Sequence, residues 1–412
     1  MIRRPLTLLI LLTGLNLLNY LDRMVLSAVL PKIEGALHIS HFIGGSLATV
    51  FLVGYFLTSP IFGTLADRGK RTYLIAGGVA VWSLATFASG LATGATSLII
   101  ARVFVGVGEA SYATIAPTMI DDIAPVEKKG KWLAIFFAAS PIGSALGYFT
   151  GGIADKHDQV EGWRHAFWVA GVPGILLAGL CLLIVDPPRQ LHERKDENLL
   201  AAAKELLPLR IFRRGVMGYC AYTFAIGGFA YWAPTFLFDT YGLSLAKANL
   251  YFGALTVIAG AIGTLVGGAW GDRASKVDRG EDDPERNSAL GYLRVCAITA
   301  AIGAPIALAC FFAPTYQLFF ALVFPCEIAL FMSTSPINAA ILRSVPPARR
   351  ASAVAITIFA IHLFGDLWSP PLIGRLADMM PMRIAMMLLP IFFGLGALGW
   401  WLPGRARARA NA

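Results

Sequence analysis

The sequence predicts an all-α membrane protein: twelve transmembrane helices in two six-helix halves, each half built from inverted three-helix repeats. Three observations carry this. The first is composition: of 412 residues 57% are hydrophobic and 14% charged, with a mean hydropathy of +0.65. Soluble domains carry about 25% charged residues, and so few polar groups cannot cover a chain of this size. A cytosolic enzyme, a secreted domain and a disordered regulator are thereby excluded. The second is a series of long charge-free stretches. The third is a spacing, Gly-x-x-x-Asp, that recurs once in each three-helix unit.

The charge-free stretches set the count of spans. Residues 35–66, 72–101, 248–271, 295–326 and 384–404 contain no Asp, Glu, Lys or Arg. Each holds at least one helix of about 20 residues, the length that crosses a bilayer. A β-barrel would show short alternating segments instead. Breaks at Gly90–Thr96 and Ala313–Thr315 divide the longer runs. The twelve expected spans are 5–33, 41–66, 72–91, 97–123, 131–154, 164–185, 213–239, 246–271, 289–312, 316–343, 350–377 and 382–402.

The formal charge of +9 is topological. With an even span count both termini share one side. Loops on that side hold 26 Lys and Arg, against six on the other: Lys32, Lys156, Arg164, Lys247, Arg375 and Arg383. This asymmetry is the positive-inside signature and places both termini in the cytoplasm. No nucleic-acid partner is expected. The N-terminal apolar stretch is too long for a cleavable signal and carries Asp22-Arg23, so it reads as the first span. Short loops suggest a bacterial inner membrane, and the chain is expected to act as a monomer among membrane lipids. Cys181, Cys220, Cys296, Cys310 and Cys326 all fall within spans without metal-ligand spacing, and read as small packing residues. No metal and no cofactor are expected.

The chain divides at Asp186-Pro187-Pro188. Residues 1–186 form the N-terminal half and 213–412 the C-terminal half. The charged segment 187–212 is the cytoplasmic linker, in which 198–209 suits a short surface helix. The repeated spacing supports the division: Gly63/Asp67, Gly151/Asp155, Gly268/Asp272 and Gly374/Asp378 close the second, fifth, eighth and eleventh helices. Two copies fall on each side of the membrane, as nested inverted repeats require. In the first copy Arg68 and Arg71 follow Asp67, and in the third Arg273 follows Asp272. A carboxylate beside arginines at a helix end makes charge-assisted hydrogen bonds to a neighbouring helix. Such a latch holds one conformation and releases in another.

These residues also carry a resemblance. Gly63-Thr64-Leu65-Ala66-Asp67-Arg68-Gly69-Lys70-Arg71 resembles the loop signature of the major facilitator superfamily, with its second glycine one position early. Arg102-Val-Phe-Val-Gly106-Val-Gly108-Glu109-Ala110-Ser111-Tyr112-Ala-Thr-Ile-Ala-Pro117 is similar to the fourth helix of the spinster family. Asn19-Tyr20-Leu21-Asp22-Arg23 resembles that family's first helix, and is shared with anion:cation symporters. The resemblance implies a major facilitator fold with a central cavity. It also implies proton-coupled movement of a single-chain amphiphile such as a lysophospholipid or sphingoid phosphate. It links Asp22, Arg102 and Glu109 to proton coupling and the substrate path.

The residues themselves point the same way. Neither Gly-Lys pair, Gly69-Lys70 or Gly130-Lys131, has the glycine five positions earlier that a Walker loop requires. His-Glu-x-x-His and Gly-x-Ser-x-Gly are also absent, so neither a pump nor a membrane hydrolase is expected. Energy then comes from an ion or substrate gradient, or transport is passive; H+ is the expected coupling ion. Asp22, Glu109, Glu327 and Asp366 lie deep in spans with Arg23, Arg102 and His362, and such groups are costly there. Burial favours the neutral carboxylate and a nearby arginine the charged one, so a carboxylate that gains and loses an arginine also takes up and releases a proton. Arg102 and Glu109 are seven residues apart on one face, about 10 Å along the axis, so each can meet Asp22 or Arg23. His362 and Asp366 share a face four residues apart. Asn19, Tyr20, Arg23, Tyr222, Trp232, Glu327, Asn338, His362 and Asp366 are the candidates for the substrate path. Symport of a small organic anion, export of a hydrophobic drug, and a non-transporting sensor or scaffold remain as alternatives.

Overall fold

The structure is a computed structural model that describes residues 4–125, 128–158, 161–188, 199–277 and 283–401. The linker residues 189–198 and the end of the last half, 402–412, lie outside the described residues. So do several basic residues of the charge asymmetry: Arg3, Arg189, Arg194, Lys195, Arg279, Arg405, Arg407 and Arg409.

Helices follow one another with short connections. The first six are α1 (Pro5–Leu37), α2 (His41–Arg68), α3 (Arg71–Ser89), α4 (Ala95–Ile123), α5 (Lys129–His157) and α6 (Gly162–Cys181). Their ends follow local chemistry. Pro5 occupies the first turn of α1, where no backbone donor is needed. His38 closes α1 in the left-handed region at φ 51°, with its amide on Glu34 O. The Ser40 side chain then caps α2 by accepting from the Ile43 amide. The short helix α7 (Leu199–Leu206) falls within the segment expected to carry a surface helix.

The remaining helices are α8 (Arg210–Tyr241), α9 (Leu245–Ser275), α10 (Pro284–Phe312), α11 (Tyr316–Phe331), α12 (Thr334–Arg343), α13 (Arg350–Ile361), α14 (Ser369–Ala377), α15 (Met382–Ala385) and α16 (Leu388–Trp400). Three expected spans are therefore interrupted rather than continuous. The span 316–343 breaks between α11 and α12, and 350–377 passes through a π-helical turn at His362–Asp366. The last, 382–402, breaks between α15 and α16. Among the described residues eleven segments are long and apolar enough to cross a membrane. The twelfth of the reading, α8, is long enough at 32 residues but less apolar, because it carries Arg213, Arg214, Tyr219, Tyr222, Tyr231 and Trp232.

Packing divides the chain into two compact units: Met1–His192 with Tyr231–Val257, and Glu193–Ala230 with Ile258–Ala412. The end of α8, from Tyr231, and the start of α9, to Val257, pack with the first unit. Hydrogen bonds account for this. Ser27 donates to Tyr231 O at 2.5 Å, the Tyr231 hydroxyl to Gly44 O at 2.6 Å, and Asn249 to Ala28 O at 2.9 Å.

Within the first unit α1 packs on α5, α4 on both α2 and α3, and α3 on α6. Its core gathers Leu12, Ile75, Val79, Trp82, Tyr112 and Phe136. The core of the second unit gathers Phe212, Tyr222, Leu293, Phe393 and Trp400. Outward faces are also apolar: Leu57, Leu176, Leu265 and Leu398 are each more than 60% exposed. A water-soluble surface does not present such residues in this density, whereas a lipid-facing one does.

Candidate functional site

Four ionisable side chains of α1 and α4 meet inside the first unit. Arg23 Nε donates to Glu109 Oε2 at 2.8 Å. Arg102 Nη1 lies 3.9 Å from Asp22 Oδ1. The pairing is crossed, since the adjacent residues Asp22 and Arg23 each find the opposite charge on α4. A third helix contributes: the Thr86 hydroxyl of α3 donates to Asp22 Oδ2.

Burial makes this cluster energetically consequential. Asp22 and Arg102 are each 2% exposed and Glu109 is fully enclosed, while the Arg23 side chain keeps 23% of its surface. Isolated charges are strongly disfavoured in such surroundings. Aromatic rings share the load. The Arg23 guanidinium carbon lies 5.2, 5.0 and 5.6 Å from the ring centres of Tyr20, Phe51 and Tyr55, and that of Arg102 lies 5.3 Å from Phe51. Phe51 of α2 thus contacts both arginines. Compensation is incomplete: Asp22 Oδ1, Glu109 Oε1, Arg102 Nε and Nη1, and Asn19 Nδ2 have no hydrogen-bond partner among the described residues.

The helices are held at this distance by glycine. A Cβ at Gly106 would run into the Phe51 carbonyl and the Tyr55 amide of α2, and one at Gly108 into Gly78 O and the Trp82 amide of α3. Small residues therefore let α2 and α3 approach α4 backbone to backbone, which brings Phe51, Tyr55 and Thr86 to the ion cluster. On the α5 side, Asn16 donates to Phe136 O at 2.8 Å and to Ser140 at 3.1 Å.

A second ionic centre lies where α3 begins. Arg71 is 4% exposed and reaches Asp122 Oδ2 at 2.5 Å, Asp186 Oδ1 at 3.2 Å and Pro187 O at 2.9 Å, while its own amide donates to Asp186 at 2.9 Å. One guanidinium thus joins the start of α3 to the end of α4 and to the chain after α6. The other expected latch residues sit differently. Asp67 and Arg68 are exposed at the end of α2, and Gly63 lies against Thr114 of α4. Asp272 accepts from the Tyr292 hydroxyl at 2.8 Å, and Arg273 is exposed.

The expected substrate-path residues fall in several places. Trp232 is fully buried, its ring edge-on to His41 at 5.7 Å. Tyr222 is 4% exposed and donates to Leu330 O at 3.2 Å, within the core of the second unit. Asn338 is exposed and donates to Thr334 O at 2.8 Å. Glu327 is 3% exposed in an apolar cavity of the second unit. His362 Nδ1 lies 2.9 Å from both carboxylate oxygens of Asp366, across the π-helical turn. Gly227 of α8 packs against Asp366 there. Thr86, Phe51, Tyr55, Asp122 and Asp186 were not anticipated. Thr86 sits in a charge-free run that marks a span and nothing more, whereas Asp186 stood in the Asp-Pro-Pro step that marks the division of the chain.

Comparison with known proteins agrees with this architecture. The family model described as Major Facilitator Superfamily matches residues 12–365. The Arabidopsis thaliana protein named probable sphingolipid transporter spinster homolog 2 is 32% identical over 409 residues, covering 91% of this chain and 81% of the relative. Human protein spinster homolog 1 is 34% identical over 389 residues, covering 88% and 71%. The chain belongs to the major facilitator superfamily and, within it, to the spinster type of transporter. Its fold superimposes with a TM-score of 0.85, at 22% identity and 98% coverage of both chains, on the crystal structure of a bacterial homolog to the human lysosomal transporter Spinster in an inward-facing and occupied conformation.

Proposed function

We propose that this transporter works by alternating access and couples the movement of a single-chain amphiphilic anion, such as a lysophospholipid or sphingoid phosphate, to protons carried by Asp22 and Glu109. The observation that carries this is the unequal burial of one ion pair: Glu109 has no exposed surface, while its partner Arg23 keeps 23%. An anionic head group therefore reaches Arg23 and not Glu109. When Arg23 turns to that head group, Glu109 loses its counter-ion. A buried carboxylate in that position takes a proton rather than remain charged. Arg102, 3.9 Å from Asp22, sets the same exchange for the second carboxylate. The names of the Arabidopsis relatives support the lipid class.

Both termini face the cytoplasm, in a bacterial inner membrane, and the monomer is the working unit. The segment from Gly63 at the end of α2 to Arg71 at the start of α3 and the Asp272-Arg273 step serve as conformational latches, with Arg71 the fixed anchor and Asp67 the part that engages and releases. Proteoliposomes with an imposed pH gradient test the function. A labelled lysophospholipid should move with the gradient and stop when it collapses. Movement of a small sugar acid alone would replace the lipid reading with organic-anion symport, and movement of neither would remove both.

A further inference from the structure

The end of α16 is met by two arginines from other helices of the second unit. Arg214 of α8 donates from Nε to Gly399 O at 2.9 Å and from Nη2 to Leu398 O at 2.7 Å. Arg294 of α10 has its guanidinium carbon 3.6 Å from the ring centre of Trp401. Glycine lets α8 come this near: a Cβ at Gly399 would stand 2.8 Å from Gly218 Cα. Trp400 is fully buried and donates to Gly215 O at 3.1 Å, which fixes the turn from the inside. Running back from Trp401 along α16, Leu398, Leu395 and Ile391 are 65%, 46% and 58% exposed. Their spacing of three and four residues makes one apolar stripe, and Trp401 stands at its end, 45% exposed.

Neither arginine is neutralised. Among the described residues no carboxylate pairs with Arg214 or Arg294, whereas Arg343, Arg349 and Arg350 of the same unit each meet a glutamate. Arg214 uses Nε and Nη2 on the two carbonyls and keeps Nη1 for another acceptor. Exposed Arg213 beside it adds a third positive charge. Hydrocarbon alone accounts for the stripe but not for the unpaired guanidiniums, and a soluble phosphate accounts for the guanidiniums but not for the stripe. A phosphodiester suits the guanidinium forks, an acyl chain suits the stripe, and a tryptophan suits the boundary between them. Basic pockets between transmembrane helices bind such head groups. We propose that the end of α16 seats an anionic two-chain phospholipid of the surrounding bilayer, with its phosphate on Arg214 and Arg294 and one acyl chain along Leu398, Leu395 and Ile391. This lipid is held on the outside of the unit and is not carried, so the proposal does not depend on the chemistry of Asp22 and Glu109.

The test is native mass spectrometry of the whole purified protein released from detergent, titrated with dioleoyl phosphatidylglycerol, dioleoyl phosphatidylcholine or glycerol phosphate. The parent should retain phosphatidylglycerol at concentrations where phosphatidylcholine and glycerol phosphate are not retained. Arg294→Gln, which leaves every described hydrogen bond in place, should weaken the apparent phosphatidylglycerol affinity about five-fold, and Arg214→Gln by as much or more. Arg294→Gln provides the answer if the Arg214 variant, which loses its bonds to α16, does not fold. The double variant Lys128→Gln with Lys131→Gln removes two exposed charges of the first unit and should bind like the parent, which separates a built site from net charge. Equal retention of phosphatidylcholine, capture of glycerol phosphate in place of the lipid, unchanged affinity in Arg294→Gln, or an equal loss in the lysine variant overturns the proposal.

Discussion

Arg23 of α1 and Glu109 of α4 meet at 2.8 Å from opposite kinds of surroundings: the carboxylate is wholly enclosed, and the guanidinium is partly open. The two cannot respond alike to an arriving anion. Arg23 can exchange one partner for another and still lie against Tyr20, Phe51 and Tyr55, whereas Glu109 has only a proton to replace the charge it loses. The functional account rests on this asymmetry.

Glu109→Gln keeps the shape of the side chain and removes its charge. Lipid transport driven by a pH gradient should fall at least about ten-fold, equivalent to about 1.4 kcal/mol at the barrier. Folding should change less, because Arg23 retains its rings and part of its hydration. Transport in proteoliposomes, measured with and without the gradient, checks the first point, and thermal unfolding the second.

Thr86→Val deletes the hydroxyl that donates to Asp22 at nearly constant volume. A buried carboxylate oxygen left without its donor costs about 1–3 kcal/mol, which a denaturation curve reads directly. Thr86→Ser keeps the donor and should recover most of the loss. Equal stability of the valine and serine variants would show that the hydrogen bond contributes nothing.

Arg71→Ala leaves Asp122 and Asp186 facing one another without their shared cation. Breaking a buried ionic centre in this way costs about 3–5 kcal/mol. Because Asp186 keeps 22% of its side-chain surface, the lower end of that range is expected. Arg71→Lys should recover only part, since an ammonium cannot reproduce a planar fork with several acceptors. Asp67→Ala, at an exposed site, should leave the melting temperature nearly unchanged while shifting the populations of open states seen in distance measurements between spin labels.

Gly106→Val places two methyl groups where the α2 backbone already lies. Separating α2 from α4 costs about 1–3 kcal/mol or more, and also moves Phe51 away from Arg23 and Arg102. Low folded yield is the expected outcome, read by size-exclusion chromatography of the solubilised protein. The same substitution at Gly14, where a Cβ meets nothing within 4 Å, should be tolerated.

The fold was legible because the bilayer imposes a simple rule on sequence. The charge-free run 35–66 and the basic step after Asp67 mark α2 and its end almost to the residue. The interruptions were less legible. The break between α11 and α12 falls at Met332 and Ser333, just before the first turn of α12, and depends on local packing. The π-helical turn at His362–Asp366 fits against Gly227 and against Cys220 and Thr223, which lie beside Gly365, and no local pattern announces that fit. Asp22, Arg23, Arg102 and Glu109 stood out as charges inside spans. Their crossed pairing was not readable, because it depends on how α1 and α4 are rotated about their axes. Thr86 was invisible for the same reason: a threonine in an apolar helix signals nothing until the helix opposite it is known.

The most direct measurement of the coupling claim follows protons rather than lipid. Proteoliposomes holding the purified protein and an internal pH-sensitive dye are given lysophospholipid without any imposed gradient. The account predicts that lipid movement drives a proton flux in the parent protein, and that Asp22→Asn and Glu109→Gln each reduce the number of protons moved per lipid. Lipid movement in the parent without any proton flux, or an unchanged ratio in both variants, would contradict it.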